Sequence, residues 1–245
     1  MNILIVFGSK SDQRVYDPLV SVLSKSHSIQ FDILSAHRNP IELDLLLKTK
    51  AFDLIIAGAG LAAHLPGVVA SKVDTPVIGL PINASLAGLD ATLSILQMPF
   101  MVPVITCAPD RHMEVVSFIN LLKERKKSES EKSICIVFNK TFDSLIYQSE
   151  IDRTLLFAKE NAIKVSLVDC FDASKLNVIL VTQKEDIQKD VLAIHVPLFN
   201  QHENANPETS IKLFNWISLG GMWVGINNTR NALIYYQKLF LRRNI

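Results

Sequence analysis

The chain has 245 residues, 49% hydrophobic and 20% charged, which is enough apolar material for a buried core and excludes a disordered chain. A formal net charge of +1 gives no electrostatic case for nucleic acid or a membrane surface. Three widely spaced cysteines (Cys107, Cys135 and Cys170) form neither a disulfide framework nor a metal-ligand spacing, and they suit a reducing, cytoplasmic setting.

Asn2–Phe7, an apolar run closed by Gly8, reads as a buried parallel strand and not as a signal peptide, for it lacks a basic flank and a cleavage site. A helical pattern from Asp12 to Ser24 leads to a second strand at Ile29–Leu34. A helix at Pro40–Lys48 follows, and then strands at Leu54–Ala57, Pro76–Leu80 and Val102–Cys107. Strands alternating with helices predict βαβ units and a doubly wound α/β fold, a parallel sheet covered on both faces in a flavodoxin-like sandwich. Charge and serine without apolar spacing at 123–132 predict a helix end and a linker. The expected domains are therefore 1–125 and 133–245, with 126–132 between them.

The second half echoes the first. Ser133–Asp143 resembles Asn2–Asp12, Ile163–Val168 resembles Ile29–Leu34, Val178–Val181 resembles Leu54–Ala57, and Val191–Pro197 resembles Val77–Pro81. Duplication explains this order, and two unrelated α/β domains would also share apolar strands.

Three loops at the carboxyl edge of the first sheet carry chemistry, and that edge is where open parallel sheets bind ligands. Gly8-Ser9-Lys10-Ser11-Asp12 offers free N–H groups, hydroxyls and a helix N-terminus to an anion, while Gly8 permits a tight turn. Asp12 suits ribose hydroxyls, although Ser11 or Asp12 acting only as a helix cap fits equally well. Ser35-Ala36-His37-Arg38-Asn39-Pro40 supplies a guanidinium fork for phosphate and a histidine that titrates near neutrality; a solvated surface pair is the plainer alternative. In the third loop, Gly58 and Gly60 allow close approach to the backbone, and His64 follows in an apolar loop that would keep it neutral and basic. Gly58–Ala63 also fits the loose dinucleotide pattern G-x-G-x-x-A, but Pro66-Gly67 is expected to interrupt the helix which that pattern needs.

Together, GSKSD, SAHRNP, AGAGLAAHLPGVVA, PVIGLP and the LAGLD–QMP stretch (86–99) stand in the order and spacing of the PurE family over nearly all of residues 1–107. The AAHLPG form is similar to the bacterial mutase class. The resemblance implies an isomerase of purine biosynthesis, 5-(carboxyamino)imidazole ribonucleotide mutase, which moves a carboxylate from the exocyclic nitrogen to the ring carbon. Direct carboxylation of aminoimidazole ribonucleotide by carbon dioxide, or a non-catalytic nucleotide-binding role, are the alternatives. By the same resemblance Ser9, Ser11 and Arg38 hold the phosphate, Asp12 holds the ribose, His64 is the acid/base and His37 positions. Ser35, Gly58, Gly60, Ala63 and Leu65 complete the expected site. No metal or other cofactor is expected. Family members resemble one another in forming octamers; a duplicated chain would fill that arrangement with four copies, or else eight full chains would assemble.

The chain departs from the family in one respect. After the fifth strand the family continues through an Asn-Asn segment, whereas the first half has Cys107-Ala108-Pro109-Asp110-Arg111-His112. The second half retains Gly225-Ile226-Asn227-Asn228-Thr229-Arg230-Asn231-Ala232 but has Lys140, Phe142, Phe171 and Asp172 where the ligand loops should be, so it is expected to be inert.

Overall fold

A computed structural model describes residues 1–127, 133–139 and 145–241. Contacts divide the chain into two compact units, Met1–Val116 and Ser117–Ile245. The expected linker at 128–132 and the segment 140–144, with Lys140 and Phe142, lie outside the described residues. Residues 126 and 127, expected to be linker, are the last of a helix, and the division falls inside that helix.

The first unit runs β1 (Asn2–Phe7), α1 (Gln13–Leu23), β2 (Ser28–Ile33), α2 (Pro40–Thr49), β3 (Leu54–Gly60) and α3 (His64–Lys72). It continues through β4 (Val77–Ile82), α4 (Leu89–Leu96), β5 (Val104–Thr106) and the start of α5 (His112–Lys127). All strand pairs are parallel, in the order β2-β1-β3-β4-β5, the flavodoxin-like doubly wound arrangement. β1 is buried from Ile3 to Phe7 and β4 along its whole length, which explains why both read as continuous apolar runs. β2, at the edge, is only half-buried. Burial of each large side chain contributes about 1.5–3 kcal/mol.

One sequence expectation fails here. Pro66 and Gly67 do not interrupt a helix, because His64–Lys72 is one. Pro66 is its third residue, where the missing N–H has no intrahelical partner to lose. Gly8 is not in the left-handed region either, and a Cβ there would meet nothing closer than the Gly58 carbonyl oxygen at 3.9 Å.

The described part of the second unit contains β6 (Ser133–Val137), α6 (Leu145–Glu160), β7 (Lys164–Val168), β8 (Leu176–Val181) and β9 (Ala193–Pro197). Then follow α7 (Gln201–Ala205), α8 (Glu208–Ser218), β10 (Met222–Trp223) and α9 (Thr229–Tyr236). Its strands are also parallel, in the order β7-β6-β8-β9-β10. Numbered from its own first strand, this is again the order 2-1-3-4-5. The connections at 169–175 and 182–192 contain no α-helix, where the first unit places α2 and α3.

Candidate active site

In the first unit's order, the connections leaving β1 and β3 diverge to opposite faces of the sheet, and the gap between them opens a crevice at the strand carboxyl ends. A cavity of ≈ 530 Å³ lies there. Its lining brings together Ser9, Ser11 and Asp12 after β1, Ser35 to Arg38 after β2, and Gly60 to Leu65 from the last residue of β3 into the start of α3, with Ala84 after β4. Of the expected site residues only Gly58 is absent from this wall. A Cβ at Gly58 would fall 2.2 Å from the Phe7 ring, so its bare backbone serves packing beneath the cleft.

The β1 loop is organised by its hydroxyls. Ser9 accepts the backbone N–H of Ser11 as the cap of a short 3-10 turn, and the two Oγ atoms are 2.8 Å apart. Ser11 Oγ donates to Asp12 Oδ1 at 3.0 Å. Asp12 occupies the N-cap position of α1 but makes no capping bond, which leaves its carboxylate to the cleft. Burial raises its pKa above the usual carboxylate value, the Ser11 bond opposes that, Asp110 adds to it and Arg14 offsets it.

In the β2 loop, Ser35 Oγ accepts the backbone N–H groups of His37 at 3.3 Å and Arg38 at 3.4 Å, fixing the turn. Arg38 Nη2 donates to the Gly8 carbonyl at 2.7 Å, which anchors the guanidinium to the β1 loop. His64, at the first position of α3, brings its Nδ1 to 3.2 Å from Nε2 of His37, with the rings edge to face at 5.1 Å. One of those nitrogens donates and the other accepts, so the bond requires at least one neutral imidazole.

His64 is exposed to the open cleft and does not sit in an apolar loop. The residues on either side of it, Ala63 and Leu65, are buried in the core at the base of the cleft wall. Among the described residues, no group of three or more His, Cys, Asp or Glu converges as metal ligands would.

A family model described as AIR carboxylase matches residues 2–117, close to the whole first unit. The N5-carboxyaminoimidazole ribonucleotide mutase of Methanocaldococcus jannaschii is 47% identical over 111 residues, covering 44% of this chain and 70% of that protein. The chain belongs to the AIR carboxylase family. Another relative of this family, the Pseudomonas aeruginosa protein of the same name, is 43% identical over 112 residues, 42% of this chain and 67% of its own length. A crystal structure of Treponema denticola PurE aligns with a TM-score of 0.42 at 20% identity, covering 65% of this chain and 97% of that one.

Two residues beside the cleft escaped the sequence reading. Arg14 Nη2 reaches Asp110 Oδ2 at 2.9 Å and the Asn83 carbonyl at 3.0 Å. Asp110 Oδ1 accepts the Asn83 N–H at 3.1 Å. The signal for Asp110 was present, since it stands three residues after Cys107 as Asn227 stands three after Val224.

Proposed function

We propose that the first unit is an N5-carboxyaminoimidazole ribonucleotide mutase of purine biosynthesis. The observation that carries this reading is the meeting, in one cleft, of an anion cradle, a ribose-suited carboxylate and a hydrogen-bonded histidine pair. Ser9, Ser11 and Arg38 suit the phosphate dianion, and Asp12 suits the ribose hydroxyls. The His37–His64 pair is then the proton carrier. It gives a proton to the exocyclic nitrogen as the C–N bond breaks and carbon dioxide is released into the cleft. The ring carbon captures the carbon dioxide, and the proton lost from that carbon returns to the pair, so the reaction balances without an external acid or oxidant. Relatives bearing the mutase name at over 40% identity support the assignment of activity.

Purified protein is expected to interconvert the two carboxylated ribonucleotides without ATP, added metal or bicarbonate. His64→Asn and His37→Asn should each lose roughly 10²–10⁴-fold in rate and keep ribonucleotide binding. Turnover that appears only from aminoimidazole ribonucleotide and high bicarbonate would replace the mutase by a carboxylase. Binding with no turnover would favour a regulatory protein.

The second unit reads as a diverged copy. The same strand order supports this, and so does a matched pair of loop contacts: Asp110 N–H to the Pro81 carbonyl and Asn227 N–H to the Pro197 carbonyl, both 2.9 Å. Asp110 and Asn227 share left-handed backbones, at φ 59° and 50°. With no α-helix after β7 or β8, this unit has no element to carry a counterpart of His64 and reads as catalytically inert. The three cysteines, all free, accord with a cytoplasmic setting, and no helix among the described residues is long and apolar enough to cross a membrane. The family resemblance and the duplicated strand order favour a homo-oligomer of four chains.

A further inference from the structure

The Asn83–Gly88 segment after β4 is held in an unusual backbone. Leu86, Ala87 and Gly88 have successive φ of 45°, 56° and 82°, a left-handed run that strains the two non-glycine residues. Such a run persists only where its ends are fixed. Gly88 is packed so closely on Pro109 that a Cβ would fall 2.6 Å from Cγ. At the other end, both polar atoms of the Asn83 backbone are taken by one ion pair: its N–H by Asp110, its carbonyl by Arg14. The next residue, Ala84, lies in the cleft wall with its Cβ against Gly60.

The second unit holds the corresponding residue with one side chain: Asn227 Oδ1 accepts the Phe199 N–H at 3.0 Å and Asn227 Nδ2 donates to the Phe199 carbonyl at 2.8 Å, while Arg153 of α6 donates to the carbonyl of Asn227 itself. Phe199 stands two residues after Pro197, as Asn83 stands two after Pro81. The arginine comes from the helix after the first strand of each unit, and the Asp or Asn from the loop after the fifth.

We propose that Asp110 and Arg14 are positioning residues that clamp Asn83 and thereby hold Ala84 in the wall of the ribonucleotide cleft, Asp110 filling the role that Asn227 fills in the second unit. This rests on the proposed use of the cleft. It also answers the departure noted in the sequence: the first unit has lost the asparagines but kept their function in an acid. The clamp touches neither the β2 loop nor α3, so the histidine pair stays in place when it is broken.

The test is Asp110→Ala and Asp110→Asn in the full chain, read by amide hydrogen exchange over 83–88, calorimetric binding of 4-carboxy-5-aminoimidazole ribonucleotide, and steady-state kinetics. Asp110→Ala should exchange faster over 83–88, bind that ribonucleotide about tenfold more weakly, and raise KM about tenfold with kcat within about threefold. Asp110→Asn, which keeps the acceptor for the Asn83 N–H, should recover most of both losses. Unchanged exchange over 83–88 would overturn the clamp. A fall in kcat with KM and affinity unchanged would mark mere loss of folded protein and overturn the positioning role. Faster exchange in Asp110→Ala, with a wild-type protein that does not bind the ribonucleotide, would support the clamp but overturn its role in the cleft and the proposed function with it.

Discussion

His195 lies inside β9 and His37 in the loop after β2, and their surroundings send them in opposite directions. His37 faces an open cleft and another imidazole. His195 is buried, stacked on Trp223 at 4.8 Å, with Nδ1 at 3.0 Å from the Met222 carbonyl and Nε2 receiving the Gln188 N–H at 3.2 Å. Nδ1 must donate and Nε2 must accept, so a second proton has no place to go. Burial lowers its pKa from 6.5 to about 4, against the weaker pull of its backbone bonds. A folded-state pKa below the unfolded one means the unfolded chain takes up the proton first. Stability from this residue is therefore complete above pH 6.5 and drains away between 6.5 and about 4, roughly 3 kcal/mol in all. Urea unfolding of the second unit at pH 7.5 and pH 5 should show the loss, and a His195→Gln variant should lack that dependence on pH. Equal pH dependence in the two proteins would contradict it. The sequence placed the candidate residues on three loops that share one cleft, but did not show that His37 and His64 touch. That contact depends on the direction in which α3 leaves β3, which no residue spacing specifies.

At the scale of elements, buried parallel strands announce themselves because both faces must be apolar, and each strand of the first unit lies within three residues of its expected bounds. Helix α3 was concealed by Pro66-Gly67, because a proline in the first turn costs nothing while the same proline one turn later would break the helix. Gly58 shows the complementary error, a glycine read as room for a ligand whose space is taken by a neighbouring ring. Phe7 is fully buried and edge-on to Tyr16 at 5.4 Å, so it cannot yield to a new methyl group. Gly58→Ala should lower the unfolding free energy by about 1–3 kcal/mol, and the surviving folded protein should bind ribonucleotide normally. Unchanged stability with weakened binding would return Gly58 to the cleft.

For the whole molecule, repeated strands in the sequence suggested duplication, and the strongest support for that proposal is geometric: two loops with a left-handed residue at the same place and the same backbone bond, built from Asp110 and Asn227. Aspartate and asparagine in unlike contexts do not align by eye. Four chains of 27.3 kDa would have a mass of about 109 kDa (4 × 27.3) and eight about 218 kDa (8 × 27.3). Light scattering at working concentration should give the smaller value; a stable monomer would contradict assembly altogether.

The proposed mutase moves one carboxylate within one substrate. Enzyme should be given N5-carboxyaminoimidazole ribonucleotide labelled with carbon-13 in its carboxylate, in unlabelled bicarbonate buffer, and the product carboxylate read by mass spectrometry within the first turnovers. Retention of the label in 4-carboxy-5-aminoimidazole ribonucleotide is the expected result. Product carrying carbon from the buffer, or labelled substrate that decays at the uncatalysed rate, would contradict the assignment.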